Sequence, residues 1–241
     1  MKRIVGIFIL LVSLVSLGGC STDKSHTNIS SLEYLEGTTK ENIEYNLRLV
    51  SKKIKNISFN GVLTIENKPY EFEGNITIKN TIEDSLLHVK FRNNNLYLSN
   101  GKIYLSYFYK DTNVIVKDDI EKYVEEINEI LLSKGKSFNE NTIINFIKTK
   151  TVNDIDFKKI SEKMNKTEDG FEINSNNIKI EFNNKYLVEN LSVDKSNVSL
   201  DISFEYEDAK IKVPLRYDLI NVSIETIKKL LRVDNIGELL K

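Results

Sequence analysis

The chain reads as an α+β protein built on an antiparallel sheet, and three observations lead there. Its apolar residues follow a helical and then a strand period in the order helix, strands, helices, strands, helix, with none of the strand–helix–strand alternation that builds a parallel sheet. Asn100-Gly101 lies between two alternating runs and is the preferred two-residue hairpin turn. Val198, Leu200, Ile202, Phe204 and Tyr206 alternate with Ser199, Asp201, Ser203 and Glu205, the pattern of a strand with one dry face. Such a sheet buries its dry face economically by curling around helices. The expected architecture is a curved antiparallel sheet, an incomplete barrel, with helices covering its concave face.

The chain opens on an address. Lys2 and Arg3 precede an apolar run from Ile4 to Leu17. That run is shorter than the ~20 residues that span a bilayer core, so it suits an export signal better than a stable span. Leu17-Gly18-Gly19-Cys20 ends it. These residues resemble the lipobox of bacterial lipoproteins, and the resemblance covers residues 1–21 alone. It implies that a signal peptide, residues 1–19, is removed. Cys20 then becomes the first residue and carries diacylglycerol and a palmitate-type acyl group. Two or three acyl chains hold a protein on a membrane where one is marginal. The implied location is the bacterial cell membrane, lipid-anchored, facing outside the cytoplasm. Residues 20–38 are polar and read as a flexible tether, and 39–241 as a single α+β domain.

Thr38-x-x-Glu41 reads as a capping box. It opens an amphipathic helix over Lys40–Lys55, with Ile43, Leu47, Val50 and Ile54 on one stripe. From Ile57 the period is two. Phe59, Leu63 and Ile65 share one face of a first strand, and Tyr70, Phe72, Ile76 and Ile78 one face of a second. Lys68-Pro69 falls in the connection, where a missing N–H does no harm. Leu87, Val89 and Phe91 mark a third strand. Counting outward from Asn100-Gly101 pairs Leu98 with Ile103 and Leu96 with Leu105 on one face, and Tyr97 with Tyr104 on the other. A one-residue slip would set leucines against lysine and tyrosine, so this register is well specified. Val114, Ile115 and Val116 add a short strand.

Asp118-x-x-Glu121 opens a helix carrying Ile120, Val124, Ile127 and Leu131 and ending near Gly135. A second helix follows from Asn139 with Ile143, Ile144, Phe146 and Ile147. A third, short one carries Ile155, Phe157, Ile160 and Met164. The second β stretch starts at Gly170, with Phe171 and Ile173, then Ile178, Ile180 and Phe182 before an Asn183-Asn184 turn. Tyr186 and Val188 follow, then Leu191 and Val193. Ile211 and Val213 end a last strand before Pro214, and a helix near Ser223–Arg232 carries Ile224, Ile227 and Leu231.

Composition narrows the function classes. The formal net charge is −1 with both signs interspersed, which excludes the basic footprint of a nucleic-acid binder. Hydrophobic residues make up 40% and charged ones 29%, a globular balance. Cys20 is the single cysteine, so no disulfide framework is available and stability must come from packing.

The element order, over roughly residues 39–213, also resembles the LolA/LppX-like lipoprotein fold. Phe59-Asn60-Gly61-Val62-Leu63 and Asn100-Gly101-Lys102-Ile103-Tyr104-Leu105 carry it, each a turn or glycine followed by an aliphatic strand. The resemblance implies an apolar cavity between sheet and helices that takes acyl chains. Its expected lining is Phe59, Leu63, Phe72, Ile76, Leu87, Val89, Leu96, Leu98, Ile103 and Leu105.

No catalytic chemistry is expected. His26 sits in the tether and His88 between Leu87 and Val89 on an outward strand position, so neither joins a metal-ligand cluster. Gly-x-Ser-x-Gly and glycine-rich phosphate loops are absent. Asp118, Asp119, Glu121, Glu125 and Glu126 crowd a helix start, where acids favour the macrodipole. Tyr97, Tyr104, Tyr107 and Tyr109 cluster about the hairpin, either as cross-strand packing partners or as a wet binding surface. The expected function is a membrane-anchored, non-enzymatic lipoprotein that needs no cofactor or metal and binds or carries an apolar, lipid-like ligand. The alternative is a surface module that docks another protein and takes no small molecule.

Overall fold

A computed structural model describes residues 32–79, 81, 83–91, 94–109, 112–132, 139–149, 154–195, 198–206 and 211. The expected export signal, Cys20, Val213 of the expected last strand and the helix expected near Ser223–Arg232 lie outside the described residues. The N-terminal half holds α1 (Lys40–Ser51), β1 (Asn56–Ile65), β2 (Lys68–Thr77), β3 (Leu86–Phe91), β4 (Asn94–Ser99), β5 (Lys102–Tyr109) and β6 (Thr112–Asp119). Next come α2 (Ile120–Leu132), α3 (Glu140–Thr149) and α4 (Phe157–Lys163). The C-terminal strands are β7 (Asn165–Lys166), β8 (Gly170–Ser175), β9 (Ile178–Asn183), β10 (Val188–Lys195) and β11 (Val198–Glu205).

Among the described residues the strands form one open 11-stranded sheet in the order β6-β5-β4-β3-β2-β1-β11-β10-β9-β8-β7, and every neighbouring pair is antiparallel. Each half is a meander of sequential neighbours. The two meanders join where β1 pairs with β11, from Ser58↔Glu205 to Ile65↔Val198. This is the α+β antiparallel class that the periodicities predict.

The hairpin register is the one counted from the turn: Leu98↔Ile103, Leu96↔Leu105 and Tyr97↔Tyr104. Asn100 and Gly101 have φ of 49° and 70°, as a type I′ turn requires. The same turn closes β1 onto β2 at Glu66 and Asn67, with φ of 51° and 64°. Lys68-Pro69 therefore lies in β2 and not in the connection. Pro69 sits opposite Thr64 in a pair that exchanges no ladder bond, and pairing with β3 begins further on at Phe72. Its missing N–H leaves the ladder intact.

Several expected boundaries shift for local reasons. Thr39, not Thr38, caps α1, its hydroxyl accepting from the Asn42 N–H. The helix ends at Ser51, after which Lys53 and Ile54 both donate to Val50 O and the chain turns. Ile54 still reaches the core, which is why it continued the helical period. The strand at Val114–Val116 extends over all of β6, so Asp118 and Asp119 are strand residues and the helix begins at Ile120. Asp119 pairs with Lys102 across β5 at 2.6 Å. Tyr186 lies in no strand: its φ is 61°, in the loop between β9 and β10. A bulge at Glu189 then resets the register between Val188 and Asn190, which explains the change of phase from Val188 to Leu191.

α1 and α4 lie against the apolar face of the sheet, and α2 touches β5 and β6. On that inner face burial falls along the strands. Ile57, Ile76, Leu87, Leu98 and Ile103 form a row no more than 5% exposed. Farther from the helices Phe72, Tyr70, Val193 and Val198 are only partly buried, and Ile178 is 38% exposed. Gly101 N–H donates to Glu83 O, and Gly101 O accepts from Ile120 N, tying the hairpin turn to the start of α2. Glu83 N–H in turn reaches Ile147 O on α3. Lys148 with Glu121, and Asn128 with Glu140, join α3 to α2.

Candidate functional site

The candidate site lies between the α1–α4 pair and the sheet. Leu47 and Val50 come from α1 at one-turn spacing, Phe157 and Ile160 from α4, and Phe182, Val188, Phe204 and Tyr206 from the far meander; Ile57 and Ile76 complete the floor. Asp156 caps α4 by accepting from Lys159 N–H, and Arg48 lies 5.3 Å over the Phe157 ring, so the helix pair is held from both sides. The crevice they enclose is about 40 Å³ and almost wholly apolar. Tyr206 presents its ring to it while its hydroxyl donates to Val188 O at 2.7 Å. Burial, and then the nearby Glu189 carboxylate, hold that phenol well above its ordinary range.

Tyr186 borders both this crevice and a second space. Its ring stacks on Phe171, with centroids 4.8 Å apart, and faces Tyr34 at 6.0 Å. The second space is a groove of about 450 Å³, bordered by the exposed Lys166 and Lys185. Asn183 shapes the loop: its side-chain oxygen accepts from Lys185 and Leu187 N–H. Tyr34 is placed by the segment before α1. Asn46, fully buried, accepts from Leu35 N–H and donates to Leu35 O, both at 2.9 Å. The end of the segment read as tether is thus bonded to the domain from Leu35 onward.

The structure sets the sequence-predicted lining on one sheet face but does not gather it around a void. Phe59, Leu63, Leu87, Leu98 and Ile103 are core residues, each at most 8% exposed. Phe72, Val89 and Leu96 are partly buried. Leu105 lies opposite Leu96 in the ladder. Among those whose side chains are described, Ile76 alone borders the crevice. The stripe of α4 and the alternation of β9 and β11 were in the sequence, but nothing local tells that they meet α1.

His88 is half-buried on the outer face, stacked on Tyr97 with centroids 4.5 Å apart, and its Nε2 is 2.9 Å from Asn95 Oδ1. Lys117 lies 5.5 Å over Tyr104. These tyrosines pack across strands. Among the described residues no three potential metal ligands converge, and no helix is long and apolar enough to cross a membrane.

Fold and crevice together define a class, an open antiparallel α+β sheet with helices on its apolar face. No family model and no curated protein matches the chain. Among solved structures it is similar to the crystal structure of LprF from Mycobacterium bovis, with 14% identity and a TM-score of 0.34, over 73% of this chain and 95% of that one. A likeness of this degree carries no function across.

Proposed function

We propose that the protein is a non-enzymatic lipoprotein of the bacterial envelope, anchored through Cys20, whose sheet curls around an apolar, lipid-like ligand beneath α1 and α4. One observation carries this reading: among the described residues the apolar face of the sheet is wider than the cover that α1–α4 give it. Ile65, Tyr70, Phe72, Ile173, Ile180, Val193 and Val198 continue that face beyond the fully buried rows and stay partly exposed. A lone stable domain does better to bury or replace such side chains. An acyl chain laid from the crevice along this face removes them from water. The crevice of about 40 Å³ is far below the ~300 Å³ of a ligand pocket. Loading therefore moves α1 and α4 off the sheet.

The test uses the full precursor expressed in a bacterium, fed an alkyne-tagged fatty acid and released in mild detergent. Label on the wild type and none on Cys20→Ser supports the anchor; an unlabelled wild type removes it. Native mass spectrometry of the same material is expected to find one further acyl-bearing species per chain. Ligand-free protein with a stoichiometric protein partner would favour a docking module instead.

A further inference from the structure

The groove outside Tyr186 gives the ligand a head as well as a tail. We infer that the groove between Tyr34, Lys166 and Lys185 seats the anionic head of a single-chain amphiphile whose tail passes Tyr186 into the crevice; this rests on the apolar-ligand reading. Continuity is the first reason. Tyr186 borders both spaces, and its ring stacks on those of Tyr34 and Phe171, which border the groove. A left-handed backbone holds it there, a conformation that a non-glycine residue adopts at a cost.

Charge is the second reason. Lys166 Nζ sits 4.6 Å over the Phe171 ring and donates to Asn184 Oδ1 at 2.8 Å, so the ammonium is held at the rim. Lys185 lies on the loop beside it. Glu36 is the carboxylate that borders the same groove, leaving an excess of one positive charge. Size is the third. At about 450 Å³ the groove accommodates a headgroup, which the apolar crevice of about 40 Å³ does not.

The experiment offers the full, detergent-released protein equal amounts of palmitoyl lysophosphatidylglycerol and palmitoyl lysophosphatidylcholine, which share a tail and differ in head charge. Native mass spectrometry counts the adducts. The wild type is expected to take the anionic lipid in roughly fivefold excess, the scale of two exposed charge contacts. Lys166→Ala/Lys185→Ala should bring the ratio to about one while the lysophosphatidylcholine adduct persists. Both lysines are exposed, so the variant keeps its fold. An unchanged ratio in the variant, or equal binding by the wild type, overturns the headgroup site and leaves the apolar reading standing. No adduct of either lipid sinks both.

Discussion

Phe72 faces Gly61 across β1 and β2, and its ring lies where a side chain on the glycine would begin. A Cβ there would be 2.5 Å from the Phe72 ring and 2.6 Å from the Asp201 carbonyl oxygen. The relation is reciprocal, since Phe59 lies over Gly74, its own partner across the same two strands. The two rings meet at 6.2 Å, tilted by 58°. A Phe-x-Gly step thus occurs once in each strand, and pairing sets each aromatic ring on the other strand's bare backbone. Glycines at such positions let a sheet bend sharply without clash.

Gly74→Ala should therefore destabilise more than a surface change. Its methyl would strike the His88 carbonyl oxygen, which belongs to the β3 ladder and cannot rotate away. We expect a loss of at least ~1–3 kcal/mol in urea unfolding, the range of core overpacking. Shrinking Phe59 to leucine should not rescue it, because the backbone clash remains. Rescue would show the ring to be the obstacle.

Asn46→Ala leaves both the N–H and the C=O of Leu35 without their buried partner. A loss of ~1–3 kcal/mol is expected. The Leu35 amide should exchange with deuterium far faster than in the wild type while α1 keeps its protection. Unchanged exchange at Leu35 would mean that other contacts hold the segment.

Stability should fall on the alkaline side. Burial raises the phenols of Tyr34, Tyr97 and Tyr206 above the ordinary value of about 10, and Tyr186 adds to the shift of Tyr34. A group raised in the folded state contributes fully below its unfolded pKa and loses that contribution as pH climbs through the folded one. Melting temperature is thus expected to hold to about pH 10 and then drop. Tyr206→Phe should lower it at neutral pH, through the lost bond to Val188 O, and flatten the drop. An unaltered alkaline slope in that variant would assign the effect elsewhere.

Tyr186→Gly relieves a left-handed backbone and removes a ring that borders both crevice and groove. The lost ring outweighs the relief, so net destabilisation of ~2–4 kcal/mol is expected from an emptied aromatic site. Uptake of a fluorescent fatty acid, followed by stopped flow, should nevertheless be faster than in the wild type. Slower uptake would show that the ligand enters elsewhere.

Where local chemistry dictates conformation, the sequence was readable. Asn100-Gly101 set the register of β4 on β5 because both residues tolerate positive φ. Val198 to Phe204 declared their face by strict alternation. Pro69 misled because proline usually marks a connection, whereas here its nitrogen points past the end of the β3 pairing. Tyr186 misled because alternation assumes an extended chain, and its own φ of 61° sets it in the loop before β10. The pairing of β1 with β11 has no local signature at all. The crevice was illegible for the same reason: its walls come from α1, α4 and three strands of the far meander, and volume has no period.

That pairing bears on how the chain matures. Ser58 meets Glu205, so β1 waits for β11 before the two meanders can join. Contacts so distant along the polypeptide slow folding, because a long loop must close before they form. Until β11 is made, β1 keeps one unpaired edge, the kind of bare ladder through which strands join other chains.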